Sequence, residues 1–238
     1  MRKQVMLGAG VFCLLFTFCQ TQTTKRKQEP VNTKKQESYQ DMKLRISKMH
    51  DSLSALYEKA GKRQKDSLLA VARSYVLATI TKEIFKQWLG TPWDFNGCTH
   101  VPRQGKIACG QFVNAVLCDA GFDIPRNRWA QMASEPVIQI LSSDLKRFSN
   151  KPIKKVEDYI KGREDGIYIV GLDCHVGYIY KNGPEIKFVH ASYYRPGQGV
   201  MMEELDSENP LKNSKYRVLG QILDNRMMRK WLAKEKYE

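Results

Sequence analysis

Residues 106–122 read KIACGQFVNAVLCDAGF. Phe112, Val113, Val116, Leu117 and Ala120 recur at three- and four-residue steps and form one apolar stripe on a helical wheel. The spacing predicts a helix that opens at Cys109 and stops at Gly121. Cys109 lies three, four and seven residues before members of that stripe, so it points toward the body of the protein. Cys118 is turned about 180° from it and displaced roughly 13 Å along the axis. A disulfide needs Cα atoms within about 7 Å. The two therefore cannot pair, and Cys118 reads as a small helix residue. A thiol in the first turn of a helix instead meets unpaired backbone N–H groups and the positive end of the dipole. Both stabilise thiolate, and the N–H groups can also hold an oxyanion.

Upstream of this helix the pattern is helical. From Met42 to Leu89, apolar residues such as Leu53, Leu56, Tyr57, Leu69, Ala72 and Val76 step at helical intervals. Gly61 divides two helices, and Gly90 with Pro92 ends the second. These helices read as packing or spacer elements, and His50 as an exposed histidine. The loop GTPWDFNGCTHVPRQG (90–105) leads into the Cys109 helix. Residues 124–163 read as short helices and loops, with helix-capping signals in SSDLKRF and VEDYIKG. Then the period changes. GIYIV, HVGYIY, IKFVHASYY and YRVLGQIL are β-branched and aromatic runs separated by turns. Helices first and an antiparallel meander after them predict an α+β fold, with no internal repeat.

The meander supplies a base for the thiol. His175–Tyr180 and Ile186–Ala191 flank KNGP, and Asn-Gly is a strong hairpin signal. With Asn182 and Gly183 as a two-residue turn, His175 falls directly opposite His190. With a four-residue loop, 182–185, the two become diagonal neighbours, still on one face. Pro184 cannot donate to a ladder, which favours the longer loop. On either register His175 can take the proton of Cys109 while His190 holds it in the useful tautomer. His100 is a rival base, in a loop whose geometry is less fixed than a strand's.

The 238 residues suffice for one sizeable core with tails. The net charge of +14 favours anionic partners: nucleic acid, anionic lipid or an acidic cell-wall polymer. MRKQVMLGAGVFCLLFTFCQ (1–20) narrows the choice. Arg2 and Lys3 precede an apolar run, Val5–Phe18, that is short for a membrane span and suits a secretory signal. The run ends on Cys19, where a bacterial lipoprotein would be cleaved and lipidated, although Phe18 stands where a small residue is usual. An uncleaved anchor or an ordinary signal peptide are the alternatives. Export places the body in the cell envelope, on the periplasmic side, and removes nucleic acid from the partners. It leaves the membrane, through a lipid anchor, and an envelope polymer.

The expected organisation is a signal over 1–19, a disordered tether over 20–40 and a helical segment over 41–88. A hydrolase domain over 89–225 and a basic tail over 226–238 complete it. Cys98 and Cys174 are read as free thiols, with a disulfide between them as the alternative. Cys98 and His100 with Cys174 and His175 match no zinc spacing, so no metal is expected.

The region from about Leu89 to Leu223 resembles the NlpC-type cell-wall peptidases, a branch of the papain-like cysteine enzymes. LGTPWDFNG is similar to that family's Gly-x-Pro-Tyr-x-x-Gly-Gly loop. ACGQFV is similar to its Asp-Cys-Ser-Gly-Leu-Val helix start, and GFDIPRNRWAQM to its Leu-Pro-Arg stretch. DCHVGYIY and FVHAS match its two histidine strands. The resemblance implies that Cys109 is the nucleophile, His175 the base and His190 the third polar residue. It implies a helix packed on a small antiparallel sheet, with the site at their junction. It also implies hydrolysis of an amide in peptidoglycan stem peptides with no metal or other cofactor. Trp93, Ala108 and Gly110 become substrate-contacting positions, and Gln104 a candidate for the oxyanion site. Ala108 stands where the family has an acidic residue, Gly110–Gln111 replace Ser-Gly, and Trp93 replaces a tyrosine. The chemistry therefore carries over further than the substrate. A silent envelope-binding module and an acyltransferase or amidase with the same dyad are the competing classes.

Overall fold

The structure, a computed structural model, describes residues 37–238. The expected signal segment with Cys19, and residues 20–36 of the expected tether, lie outside the described residues. Helix α1 (Tyr39–Lys59) starts within the stretch read as tether, because the Ser38 side chain accepts from the Asp41 N–H and caps it. Helix α2 (Lys62–Thr79) follows the break at Gly61 and continues through a π-helical turn (Ile80–Ile84) into α3 (Phe85–Trp88). After the loop come α4 (Cys109–Asp119), α5 (Arg126–Ala130) and α6 (Ser134–Leu141). The rest is β1 (Leu145–Ser149), α7 (Ile153–Lys161), β2 (Gly166–Leu172), β3 (Val176–Asn182), β4 (Glu185–Ala191), β5 (Val200–Glu203), α8 (Pro210–Asn213), β6 (Tyr216–Gln221) and α9 (Asn225–Leu232).

The described strands make one six-stranded antiparallel sheet in the order β1-β6-β2-β3-β4-β5, so the fold class is α+β. Strands β2, β3 and β4 pair in chain order as the first three runs of the expected meander, and β5, outside the expected runs, pairs with β4 where YRVLGQIL was expected. β6 then returns to the far edge of β2 and carries β1 outside it. SSDLKRF, read as a helix start, is thus an edge strand. Only Phe148 of β1 is buried, so the ladder to β6 rather than local periodicity decides its conformation. The β3–β4 hairpin pairs Asn182 with Glu185, the register expected from the longer loop.

Every residue of β2 is buried. Ile167 and Ile169 join the main core with residues of α1, α2, α4, α6 and α9, while Tyr168, Val170 and Leu172 join a second core with Val156 and Ile160 of α7. Helices therefore cover both faces of the sheet. Helix α4 is buried well beyond its predicted stripe, from Gln111 through Leu117. The Tyr178 hydroxyl donates to Val113 O at 2.7 Å, pinning the helix to β3. At its other end the buried Asp119 accepts from Trp88 Nε1 and from the Tyr39 hydroxyl, each at 2.8 Å. The N-terminal helices are thus bonded to α4 as well as packed on it.

The C-terminal residues are not a solvated basic tail. Met227, Met228, Trp231 and Leu232 form one buried stripe of α9, and Tyr237 is buried after it. The basic residues that marked the segment as a tail lie between those apolar positions. Trp231 Nε1 donates to Ala120 O at 2.9 Å. His50 stacks on the Trp231 ring, with centroids 4.0 Å apart, and its Nε2 lies 2.6 Å from Trp231 O. His50 is therefore half-buried and structural, because α9 covers the face of α1 that carries it.

Candidate active site

Cys109 is the first residue of α4, and Ala108 is its N-cap, with extended backbone and no side-chain acceptor. The first intrahelical bond runs from Phe112 N–H to Ala108 O at 2.9 Å. A serine or aspartate cap would occupy N–H groups of the first turn; alanine leaves the helix mouth open to an incoming oxygen. The preceding loop is held by Ile107 N–H to Pro92 O at 2.9 Å and Ala108 N–H to Gly97 O at 2.8 Å. Gly110 is required by packing: a Cβ there would lie 2.7 Å from Ala130 O.

Two cavities meet at Cys109. One, of 360 Å³, is lined by residues including Val113, Trp129, Glu135, Ile169 and Asp173. The other, of 540 Å³, is lined by residues including Trp93, Phe95, Ala108 and Tyr193. Cys109, Gly110, Ala130, Cys174 and His175 line both, so the thiol and the imidazole share one cleft.

His175 immediately precedes β3 and is held there by its carbonyl, which accepts from Leu172 N–H at 2.8 Å. It is 5% exposed, and Tyr193 packs edge-on against its ring at 5.3 Å. His175 Nε2 lies 2.8 Å from His190 Nδ1. The β3–β4 register, continued by one pair, sets His190 opposite Gly177, where a Cβ would come within 2.9 Å of the His190 Cβ. The two histidines are therefore diagonal neighbours, and the glycine between them leaves room for the rings. His190 is fully buried, and its Nε2 lies 2.8 Å from Glu203 Oε1. Glu203 pairs with Phe188, so it is diagonal to His190 in turn, and its second oxygen accepts from Arg195. His175, His190 and Glu203 thus step across three neighbouring strands on one face.

Glu203 sets the protons along this row. Burial raises its carboxyl, but the bonds from His190 and Arg195 outweigh burial and hold it below the usual carboxylate value. An ionised carboxylate only accepts, so His190 donates from Nε2 and its Nδ1 carries a lone pair. That lone pair accepts from His175 Nε2–H. His175 Nδ1 is then the unprotonated nitrogen; it is buried, with no hydrogen-bond partner among the described residues. The unprotonated nitrogen is thus left without a partner, on a residue that lines the Cys109 cleft.

Burial pushes the Cys109 thiol up, against the backbone N–H groups of Val176, Gly110 and Cys109 itself, which pull it down. Burial, then the neighbouring His190, holds His175 well below the usual histidine value. Burial also lowers His190, with Glu203 pulling the other way. The helix mouth alone therefore does not ionise the sulfur, contrary to the expectation from its position: desolvation dominates, and the resting pair is thiol and neutral imidazole.

Trp93, Ala108 and Gly110 line the cleft. Gln104 does not. It is exposed in a turn closed by its N–H to Val101 O at 3.2 Å, which carries its side chain outside both cavities. His100 also lines neither cavity; its Nδ1 accepts from Arg126 Nη1 at 2.7 Å. Cys98 and Cys174 are exposed free thiols beside the larger cavity, and Cys118 is free, with burial pushing its thiol up to about 11. Glu203, Arg195 and Tyr193 were not foreseen. Alternation in GVMME was the available signal for Glu203, but β5 is only four residues long. Among the described residues, no group of three or more His, Cys, Asp or Glu is placed to hold a metal ion, and no helix is long and apolar enough to cross a membrane.

Comparison with models of known protein families, with characterised proteins and with solved structures found no match. The functional reading therefore rests on the geometry of the cleft.

Proposed function

We propose that this chain is an exported cysteine hydrolase with a papain-like, NlpC-type catalytic domain, cleaving an amide bond in peptidoglycan stem peptides. One observation carries the reading: the helix-mouth thiol of Cys109 and the buried imidazole of His175 line the same cleft, and His175 is held from its Nε2 by a row of bonds through His190 to Glu203.

In the first step Cys109 Sγ attacks the carbonyl carbon as its proton passes to His175 Nδ1. The carbonyl oxygen becomes an oxyanion held by the open N–H groups of the α4 mouth. His175 then gives that proton to the leaving nitrogen, and the C–N bond breaks to leave a thioester on Cys109. Water, losing a proton to His175, attacks the thioester; the acid leaves and the thiol recovers its proton. Each imidazolium formed donates from Nε2 to His190, whose own Nε2–H is anchored on the Glu203 carboxylate. Transition-state charge is thus balanced by a group outside the cleft.

The N-terminal apolar run ending at Cys19 supports an envelope location, with lipidation as a membrane anchor. A silent module gripping an anionic polymer is poorly supported, because no Lys or Arg among the described residues lines either cavity despite the overall charge. The test is to incubate purified peptidoglycan with the wild type and with Cys109→Ala and to measure new amine termini. The variant is expected to release none above background; release at the wild-type rate would remove Cys109 as the nucleophile.

A further inference from the structure

The two cavities that meet at Cys109 differ in chemistry. The smaller carries the carboxylates of Glu135 and Asp173, already engaged by Arg147, Tyr216, Ser214 and backbone N–H groups. The larger is lined by no Asp, Glu, Lys or Arg among the described residues. A free ammonium or a carboxylate entering it would lose hydration without gaining a counter-charge. Its walls are aromatic. Phe95 is 80% exposed, the most exposed large apolar side chain described, and Tyr193 is 37% exposed. Trp93 packs beside Tyr193 with ring centroids 6.0 Å apart.

Trp93 also carries a buried indole N–H with no partner among the described residues. That nitrogen is fully covered, so a ligand resting on the rings does not reach it. Asn96 and Gln131 add neutral side-chain amides to the same lining. An alkyl chain or an aromatic side chain would cover the rings but leave the Asn96 and Gln131 amides unmet. A sugar ring satisfies both demands: its C–H face lies on an aromatic surface while its oxygens accept and donate around the edge.

Resting on the hydrolase reading, we infer that the cavity bounded by Trp93, Phe95 and Tyr193 is a subsite for an uncharged N-acylated amino sugar. The substrate is then a peptide still joined to its glycan. A peptide with a free amino terminus finds no partner here: Ala108, at the helix mouth, is neutral, as is the rest of the lining.

The experiment is calorimetric titration of the full chain carrying Cys109→Ala, which cannot turn substrate over. The probes are N-acetylmuramoyl-L-alanyl-D-isoglutamine, the same dipeptide with a plain acetyl cap, with an octanoyl cap, and with a free amine. The sugar-linked probe is expected to bind at least about tenfold more tightly than any other. Adding Phe95→Ala is expected to reduce that margin to about twofold or less; Phe95 is exposed, so the fold is not at stake. Equal affinities, tightest binding of the octanoyl or free-amine probe, or a margin that survives Phe95→Ala would overturn the inference. The release of amine termini from peptidoglycan by the wild type separates it from the hydrolase reading. A sugar margin with no such release leaves the subsite standing and removes the hydrolase. Release lost in Cys109→Ala, with no sugar margin, does the reverse.

Discussion

His175 Nε2 and His190 Nδ1 meet at 2.8 Å with their rings nearly perpendicular, at 88°. Only one of the two nitrogens can carry the proton in the neutral pair, and neither ring alone decides which. The decision is made one strand further on, where Glu203 takes the Nε2–H of His190. His190 thus accepts on one ring nitrogen and donates from the other, oriented by a carboxylate that no single strand of the sequence reveals.

Glu203→Gln tests the relay. The amide can accept from His190 or, turned over, donate to it, so it no longer fixes the tautomer, and it brings no charge to balance the imidazolium of the transition state. With KM nearly unchanged, kcat is expected to fall roughly 10²-fold. Nitrogen NMR of His175 should show protonation shifting from Nε2 toward Nδ1, which a merely structural glutamate would not produce. Wild-type kcat with an unchanged tautomer would exclude Glu203 as a positioning residue.

The buried pair predicts an alkaline rise in thiol reactivity. Cys109 lies above the ordinary thiol value and His175 below the ordinary histidine value, so lowering the pH from neutrality does not create an ion pair. Iodoacetamide should label Cys109 slowly at about pH 6 and progressively faster above about pH 8. Cys109→Ala identifies its share of the labelling. A fast plateau between about pH 5 and 8 would mean that thiolate and imidazolium form at rest.

Gly110→Ala should cost stability as well as activity. The new Cβ would meet a backbone carbonyl, Ala130 O, at 2.7 Å, and a backbone atom cannot swing aside as a side chain would. Loss of about 1–3 kcal/mol is expected in a denaturant titration. An unchanged midpoint and slope would show that α4 and α5 separate easily.

Trp231→Ala tests whether the C-terminus belongs to the core. The ring is 2% exposed, and its removal should cost about 3–5 kcal/mol. The imidazole of His50, now held below the ordinary histidine value chiefly by burial, should titrate closer to it once the stacked indole is gone. Unaltered stability and an unaltered His50 titration would return residues 226–238 to the status of a tail.

Much of the site was legible in the chain because it depends on local rules. Helical spacing put Cys109 at the start of α4, Gly61 divided the first two helices, and strand alternation put two histidines on one face of a hairpin. Where strong periodicity was absent, local reading failed. β1 is polar and takes its shape from β6, β5 spans four residues, and α9 looked solvated because Arg226, Arg229 and Lys230 are interspersed with its buried residues. Gln104 looked close to Cys109 along the chain, but the intervening turn sends it outward.

What the amino-acid sequence determined by itself was the α+β class, the helix-mouth cysteine and the shared face of His175 and His190, since each follows from a repeat of 3.6 or 2 residues within one segment. Only the tertiary structure decided the direction of the proton relay, the neutral resting state of the thiol and the aromatic character of the larger cavity. Those properties arise from desolvation and from contacts between segments far apart in the chain, and no local period encodes them.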